Sequence, residues 1–214
     1  MNGVAEQIDI FDANLTRIGS MDIAAAHEQA QWHRAFHCWV INGNASVLVQ
    51  QRSHAMATYA GCLDVSAAGH LRAGETVEDG IREVQEELGI PVDRTQLFDL
   101  GYRTEAADLS SGRHNREYQF VSLLRCDLPL SAYRPQADEV DGLYWLPIAD
   151  GLKLFSGGIA ECCTRGVRYD GGAWVEAERV MRREDFVARV PNYYLTVYIM
   201  AERLLEGRFP LAIS

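Results

Sequence analysis

Residues 69–91 read Gly69-His70-Leu71-Arg72-Ala73-Gly74-Glu75-Thr76-Val77-Glu78-Asp79-Gly80-Ile81-Arg82-Glu83-Val84-Gln85-Glu86-Glu87-Leu88-Gly89-Ile90-Pro91. Thr76, with Asp79 three residues on, has the form of a capping box in which Asp replaces the usual Glu or Gln. Gly89 with Pro91 behind it is a helix stop. The spacing therefore predicts a helix from about Val77 to Leu88. At about 100° per residue, Val77, Ile81, Val84 and Leu88 gather on one side, and Glu83, Glu86 and Glu87 on the opposite side at i, i+3 and i+4. Like charges so spaced repel by roughly a few tenths of a kcal/mol per pair in water. Such a face is either a solvated acidic surface or a platform for a divalent cation, because hard cations prefer carboxylate oxygens. The flanks favour the platform. Gly69 to Gly74 is a loop that brings backbone close to a metal or phosphate, and Arg82 is placed to pair with Glu75 and hold that loop on the helix.

The stretch resembles the Nudix box, G-x5-E-x7-R-E-U-x-E-E-x-G-U with U a bulky aliphatic, through Gly69, Glu75, Arg82, Glu83, Val84, Glu86, Glu87, Gly89 and Ile90. Six residues rather than seven separate Glu75 from Arg82. Because the apolar stripe from Ile81 to Leu88 keeps phase with the acids, the missing residue is expected at the helix start, near Thr76 to Gly80, where Gly80 permits unusual backbone angles. Glu75 is then expected still to reach Arg82. The resemblance implies the Nudix fold, an α+β (α/β) mixed sheet sandwiched between helices. It also implies hydrolysis of a diphosphate linkage in a nucleoside diphosphate derivative or similar metabolite. It further implies Mg²⁺ (or Mn²⁺) held by Glu83, Glu86 and Glu87 with the Gly69 loop, and a framework role for Glu75, Arg82 and Gly89.

Outside the box, Trp32-His33-Arg34-Ala35-Phe36-His37 with Trp39, and Asp64-Val65-Ser66-Ala67-Ala68-Gly69-His70, resemble the isopentenyl-diphosphate-isomerase-like branch over residues 27–150. The isomerases of that branch bind a metal through three His and two Glu and use a Cys just before the Gly-His of the box. His33 and His70 match two of the histidines, and His27 is one residue off the third. Glu117 matches one glutamate, while Asn115 stands in place of the other and Ala68 in place of the Cys. Lacking the thiol, the chain is read as an isomerase-like architecture that hydrolyses. Isomerase activity and a non-catalytic diphosphate-binding module are the alternatives. His33 and His70 are taken as structural or substrate-contacting, with His70 toward substrate. Glu117 is assigned as a metal ligand and Arg52 as a fork donor to phosphate. Cations would activate a water for in-line attack, and Glu83 or Glu139 would take its proton, with Glu86 beside them.

The rest of the chain sets limits. Its 214 residues, 48% hydrophobic and 23% charged, support an ordinary core. A net charge of −10 without a basic block argues against nucleic acid and anionic membrane as partners. Met1–Asp12 lacks the pattern of a secretory signal, and five cysteines without a CxxC pair read as reduced thiols, so a cytoplasmic location is expected. Three parts are expected: an extension over 1–34, a Nudix domain over 35–150 and a helical extension over 151–214. Strands are expected near Ile8–Phe11, at Ala35–Ile41 and Ser46–Gln51 around an Asn42-Gly43-Asn44 hairpin, and at Gln119–Cys126 and Leu143–Leu146. Asp22–Gln31 and Tyr193–Glu206 read as helical, with loops at Gly157-Gly158 and Gly171-Gly172. Tyr193, Tyr194 and the last helix are expected to pack as core, as a homodimer contact, or over the substrate pocket.

Overall fold

The computed structural model describes residues 6–109, 112–190 and 192–213. In chain order they form β1 (Gln7–Phe11), β2 (Arg17–Asp22), α1 (Ile23–Glu28), β3 (Trp32–Asn42), β4 (Ser46–Arg52), β5 (Leu63–Asp64), β6 (Ala67–His70), α2 (Arg82–Leu88), β7 (Leu97–Asp108), β8 (His114–Arg125), β9 (Val140–Pro147), α3 (Ile148–Ser156), β10 (Glu161–Asp170), β11 (Ala173–Arg182) and α4 (Tyr193–Leu205). The β3–β4 hairpin forms around Asn42, whose side-chain oxygen accepts from the N–H groups of Asn44 and Ser46. Asp22 caps α1 by accepting from Ala24 and Ala25.

One mixed sheet runs β11-β10-β9-β4-β3-β1-β2. β3 organises it. It pairs in parallel with β8 along nine residues, from His33↔Glu117 to Ile41↔Arg125, and antiparallel with the short β6, Ala35↔His70 to Cys38↔Ala67. The alternation of a strand sends Phe36, Cys38 and Val40 to one face, where Val84, Leu88 and Ile90 of the acidic-helix region cover them. Trp39 and Ile41 face the other side, under Leu154, Val197, Tyr198 and Ala201. Each of the Val, Leu, Ile and Phe side chains among them, fully buried, is worth about 1.5–3 kcal/mol, and the sheet lies between α2 on one face and α3 with α4 on the other.

The stretch expected as a helical extension contains α3 and α4, and between them the ten-residue strands β10 and β11, which lengthen the sheet past β9. Gly171-Gly172, with positive φ at both, turns that hairpin. The alternation there is weak because both faces are largely exposed. Residues 6–34 are continuous with the rest of the fold: β1 pairs with β3 inside the same sheet.

Candidate active site

The acidic helix begins later than its spacing suggested. Residues 78–81 form a 3-10 turn, and α-helix starts at Arg82. A 3-10 turn rises about 2.0 Å per residue against 1.5 Å for α-helix, so a segment one residue short still spans the gap. Arg82 Nε and Nη2 donate to the two oxygens of Glu75 at 2.8 and 3.1 Å, and Nη2 also donates to the His70 carbonyl at 2.8 Å. The pairing of Glu75 with Arg82 therefore survives the shortening. Gly80 contributes differently from expectation. It has no positive φ. A Cβ there would lie 2.6 Å from the Phe36 ring, so close packing on β3 requires the glycine. The capping box is half formed: Asp79 accepts from the Thr76 N–H and hydroxyl, at 2.8 and 2.9 Å. At the other end Gly89 takes φ +64° as the left-handed cap.

The three acids do not sit opposite the apolar stripe. Glu83 and Glu87 are buried beside Val84 and Leu88, and Gln85 is the exposed position; Glu86 is half-buried. On a helix Glu87 lies only about 60° from Val84, so a broad buried face takes both. Glu87 accepts from Gln50 Nε2 at 3.1 Å and from the Ala68 N–H at 3.2 Å, and burial holds its carboxyl well above the usual range. Glu83 meets Arg82 Nη1 at 2.5 Å; burial pushes its carboxyl up to about 7, although Arg82 pulls the other way. A Cβ on Gly69 would strike the Glu83 carboxylate at 2.2 Å, so β6 and the acid fit only through this glycine. Glu139 is half-buried in the loop before β9, and its carboxyl is raised by burial and by Asp138 and Glu86.

A second group converges from α1, β3, β6 and β8. One ring nitrogen from each of His27, His33 and His70 lies within 4.8 Å of the others. His27 Nδ1 donates to the His114 carbonyl at 3.0 Å and His33 Nδ1 to the Gln31 carbonyl at 2.9 Å. A carbonyl can only accept, so both protons are fixed at Nδ1 and both Nε2 lone pairs are left for the cluster. Burial keeps His33 neutral, with its pKa lowered to about 4. Nε2 of His33 and of His70 are buried without a hydrogen-bond partner, and both approach Glu117 Oε1, at 4.0 and 3.5 Å. Orphaned lone pairs beside a carboxylate, with backbone-anchored second nitrogens, suit a divalent cation. His27 belongs with His33 and His70 after all. Spacing along the chain does not show where α1 delivers residue 27. Asn115 lines the adjoining cleft.

That cleft, of about 130 Å³, runs from the histidines past Ala68 and Gly69 to Arg52, Arg113 and Arg189. Arg52, at the end of β4, donates to the Thr58 carbonyl and faces Asp64 at 3.6 Å. His37 is cross-strand partner to Ala68 and also lines the cleft. The Trp39 indole donates to the Tyr193 hydroxyl at 3.0 Å, and that hydroxyl also shares a hydrogen bond of 2.7 Å with His37 Nδ1. Burial holds the His37 imidazole well below its usual pKa. Tyr193 is thus a core residue at the back of the cleft, and Tyr194 stacks on Phe155 within the same core. All five cysteines are free thiols.

The Nudix domain family ("NUDIX domain") matches residues 31–161. An uncharacterised Nudix hydrolase from Clostridium acetobutylicum is 32% identical over 197 residues, 90% of this chain and 95% of that protein. The chain belongs to the Nudix family. The hydrolases of this family act on diphosphate bonds and generally use divalent cations. An isopentenyl-diphosphate Delta-isomerase from Mycolicibacterium vanbaalenii is 31% identical over 147 residues, 67% of this chain and 78% of that enzyme. A solved structure from Deinococcus radiodurans shares the fold, with TM-score 0.56 and 23% identity over 72% of this chain and 90% of that one. On this Nudix framework the box carboxylates and the histidine group meet at one strand, β6. Ala68 N–H binds Glu87, Gly69 admits Glu83, and His70 joins the cluster.

Proposed function

We propose that the protein is a cation-dependent hydrolase of a small organic diphosphate, with the diphosphate bound between the carboxylates of α2 and the arginines of the cleft. The observation that carries this reading is the buried pair Glu83 and Glu87, held against β6 by Gly69 and the Ala68 N–H. Two buried carboxyls raised by desolvation are costly without a cation. Glu83, Glu86, Glu87 and the Gly69 backbone form an oxygen set suited to Mg²⁺. His27, His33, His70 and Glu117 form a second, nitrogen-rich set of the kind that imidazole-binding divalent ions such as Zn²⁺ or Fe²⁺ favour. Bound cations would supply charge neutralisation and a lowered pKa for water.

The chain's own residues do the rest. Arg52 orients a phosphate oxygen, His70 and His37 face the substrate, and Glu139, raised but open on one side, takes the proton of the attacking water, with Glu83 as the alternative base. Glu75 and Arg82 hold the loop. The histidine group is shared with an isomerase reading, but the Ala68 methyl offers no acid–base group for moving a proton at carbon. Free thiols support a cytoplasmic setting.

The test is a panel of nucleoside diphosphate derivatives and prenyl diphosphates, with Mg²⁺ or Mn²⁺, reading phosphate release and isomer ratio. Hydrolysis without isomerisation is expected. Glu83→Gln and Glu87→Gln should each lose about 10²-fold or more in kcat while remaining folded. Near-wild-type turnover in both, or isomerisation above background, would sink the assignment.

A further inference from the structure

Arg189 follows β11 in a segment that docks on β5. Phe186 bridges Leu63 in parallel, and the Val187 N–H donates to the Leu63 carbonyl at 2.9 Å. This registration sets residue 189 beside Asp64. Arg189 Nη2 meets Asp64 Oδ1 at 2.7 Å, while Asp64 Oδ2 faces Arg52 Nη1 at 3.6 Å. The Arg189 and Asp64 side chains are more than nine-tenths buried, at 8% and 4% exposure.

Buried Arg103 has one carboxylate to itself: it is paired with Glu105 at 2.6 Å and bonded to Gln119 at 2.7 Å. At the Asp64 site one carboxylate serves two guanidinium groups. Arg189 Nε is buried with no hydrogen-bond partner. A buried guanidinium that shares its carboxylate and keeps an unused donor is expensive inside a protein, and both arginines line the cleft that also holds His70 and Glu117. The Tyr193 ring fixes the geometry, with the Arg189 and Arg103 guanidinium carbons 5.7 and 4.5 Å from its centroid.

We infer that Arg189 and Arg52, spaced by Asp64, form a two-guanidinium clamp for one phosphoryl group of the diphosphate, so that the segment after β11 supplies substrate recognition. This rests on the hydrolase reading for the identity of the anion. Guanidinium groups bind phosphate oxygens through paired charge-assisted hydrogen bonds, which an ammonium cannot reproduce.

Calorimetric titration with methylenediphosphonate, a non-hydrolysable diphosphate, in the presence of Mg²⁺ separates this inference from the activity. Arg189→Gln should weaken binding about tenfold or more. Arg189→Lys, which keeps a cation beside Asp64 and so guards against loss of folding, should also weaken it, with Tm near wild type. With a hydrolysed substrate the loss should appear mainly in KM. Unchanged affinity in the folded Lys variant, or no binding by the wild type, would overturn the clamp. Wild-type binding without any diphosphate hydrolysis would leave the clamp standing and remove the hydrolase reading. Hydrolysis with unaltered binding in both variants would do the reverse.

Discussion

Gly69 is the narrowest fit in the site, and Gly69→Ala tests it. The added Cβ would lie 2.2 Å from Cδ and Oε1 of Glu83. Ordinary contact begins at 3.4 Å, so the carboxylate must retreat by about 1.2 Å. Glu83 can do so by rotating, at a cost of about 0.5–1.5 kcal/mol for an off-rotamer side chain, so Tm should fall by only a few degrees. Activity should fall much further, because a displacement of about 1 Å in a positioned group costs about 10²-fold. Gly80→Ala is the contrasting variant. Its Cβ would meet the Phe36 ring at 2.6 Å, and Phe36 is 1% exposed, so the clash lands in the core rather than in the site. Overpacking of this kind costs about 1–3 kcal/mol and should lower Tm while the folded protein keeps its kcat. The measurements are phosphate release at saturating Mg²⁺ and thermal unfolding. Wild-type kcat in Gly69→Ala, or an equal kcat loss in Gly80→Ala at unchanged Tm, would refute the argument.

Two further outcomes follow from buried polar groups. Because the Glu83 carboxyl is raised from 4.5 to about 7 on folding, its contribution to stability is complete below pH 4.5 and is lost as pH rises through about 7. The loss amounts to on the order of 3 kcal/mol in cation-free protein. The urea stability of Glu83→Gln, with chelator present, should therefore gain on wild type between pH 4.5 and 7.5, and a pH-independent difference would contradict the shift. Tyr193→Phe leaves the buried Trp39 N–H and His37 Nδ1 without their partner and should cost about 1–3 kcal/mol; an unchanged urea midpoint would show the relay to be unimportant.

What could be read beforehand was what the local sequence encodes. The Gly89 helix stop, the Asn42 hairpin, the strand at Ile8–Phe11 and the Tyr193 helix depend on neighbours a few residues apart, and they formed. The pairing of Glu75 with Arg82 was also legible, because a phase argument located the missing residue. The errors have one origin. Placing the acids opposite the apolar stripe treated the helix as half solvated, whereas β6 lies against it and buries Glu83 and Glu87. Gly80 was read for its backbone freedom when the contact with Phe36 decides it. His27, His37 and Arg189 reach the cleft through register and docking, such as His37↔Ala68 and Leu63 with Phe186, which no spacing along the chain expresses.

The Tyr193 hydroxyl joins His37 across 156 positions of sequence, and Arg189 reaches Asp64 across 125. Contacts this distant form only after nearly the whole chain is available. A growing polypeptide released as far as β9 already carries the box acids, the three histidines and Glu139, yet lacks the wall that gives the cleft its shape. The proposed cation ligands and the wall of the cleft are thus completed at different moments of synthesis. A product truncated after β11 would keep every proposed cation ligand and lack Val187, Ala188 and Arg189 from the cleft wall.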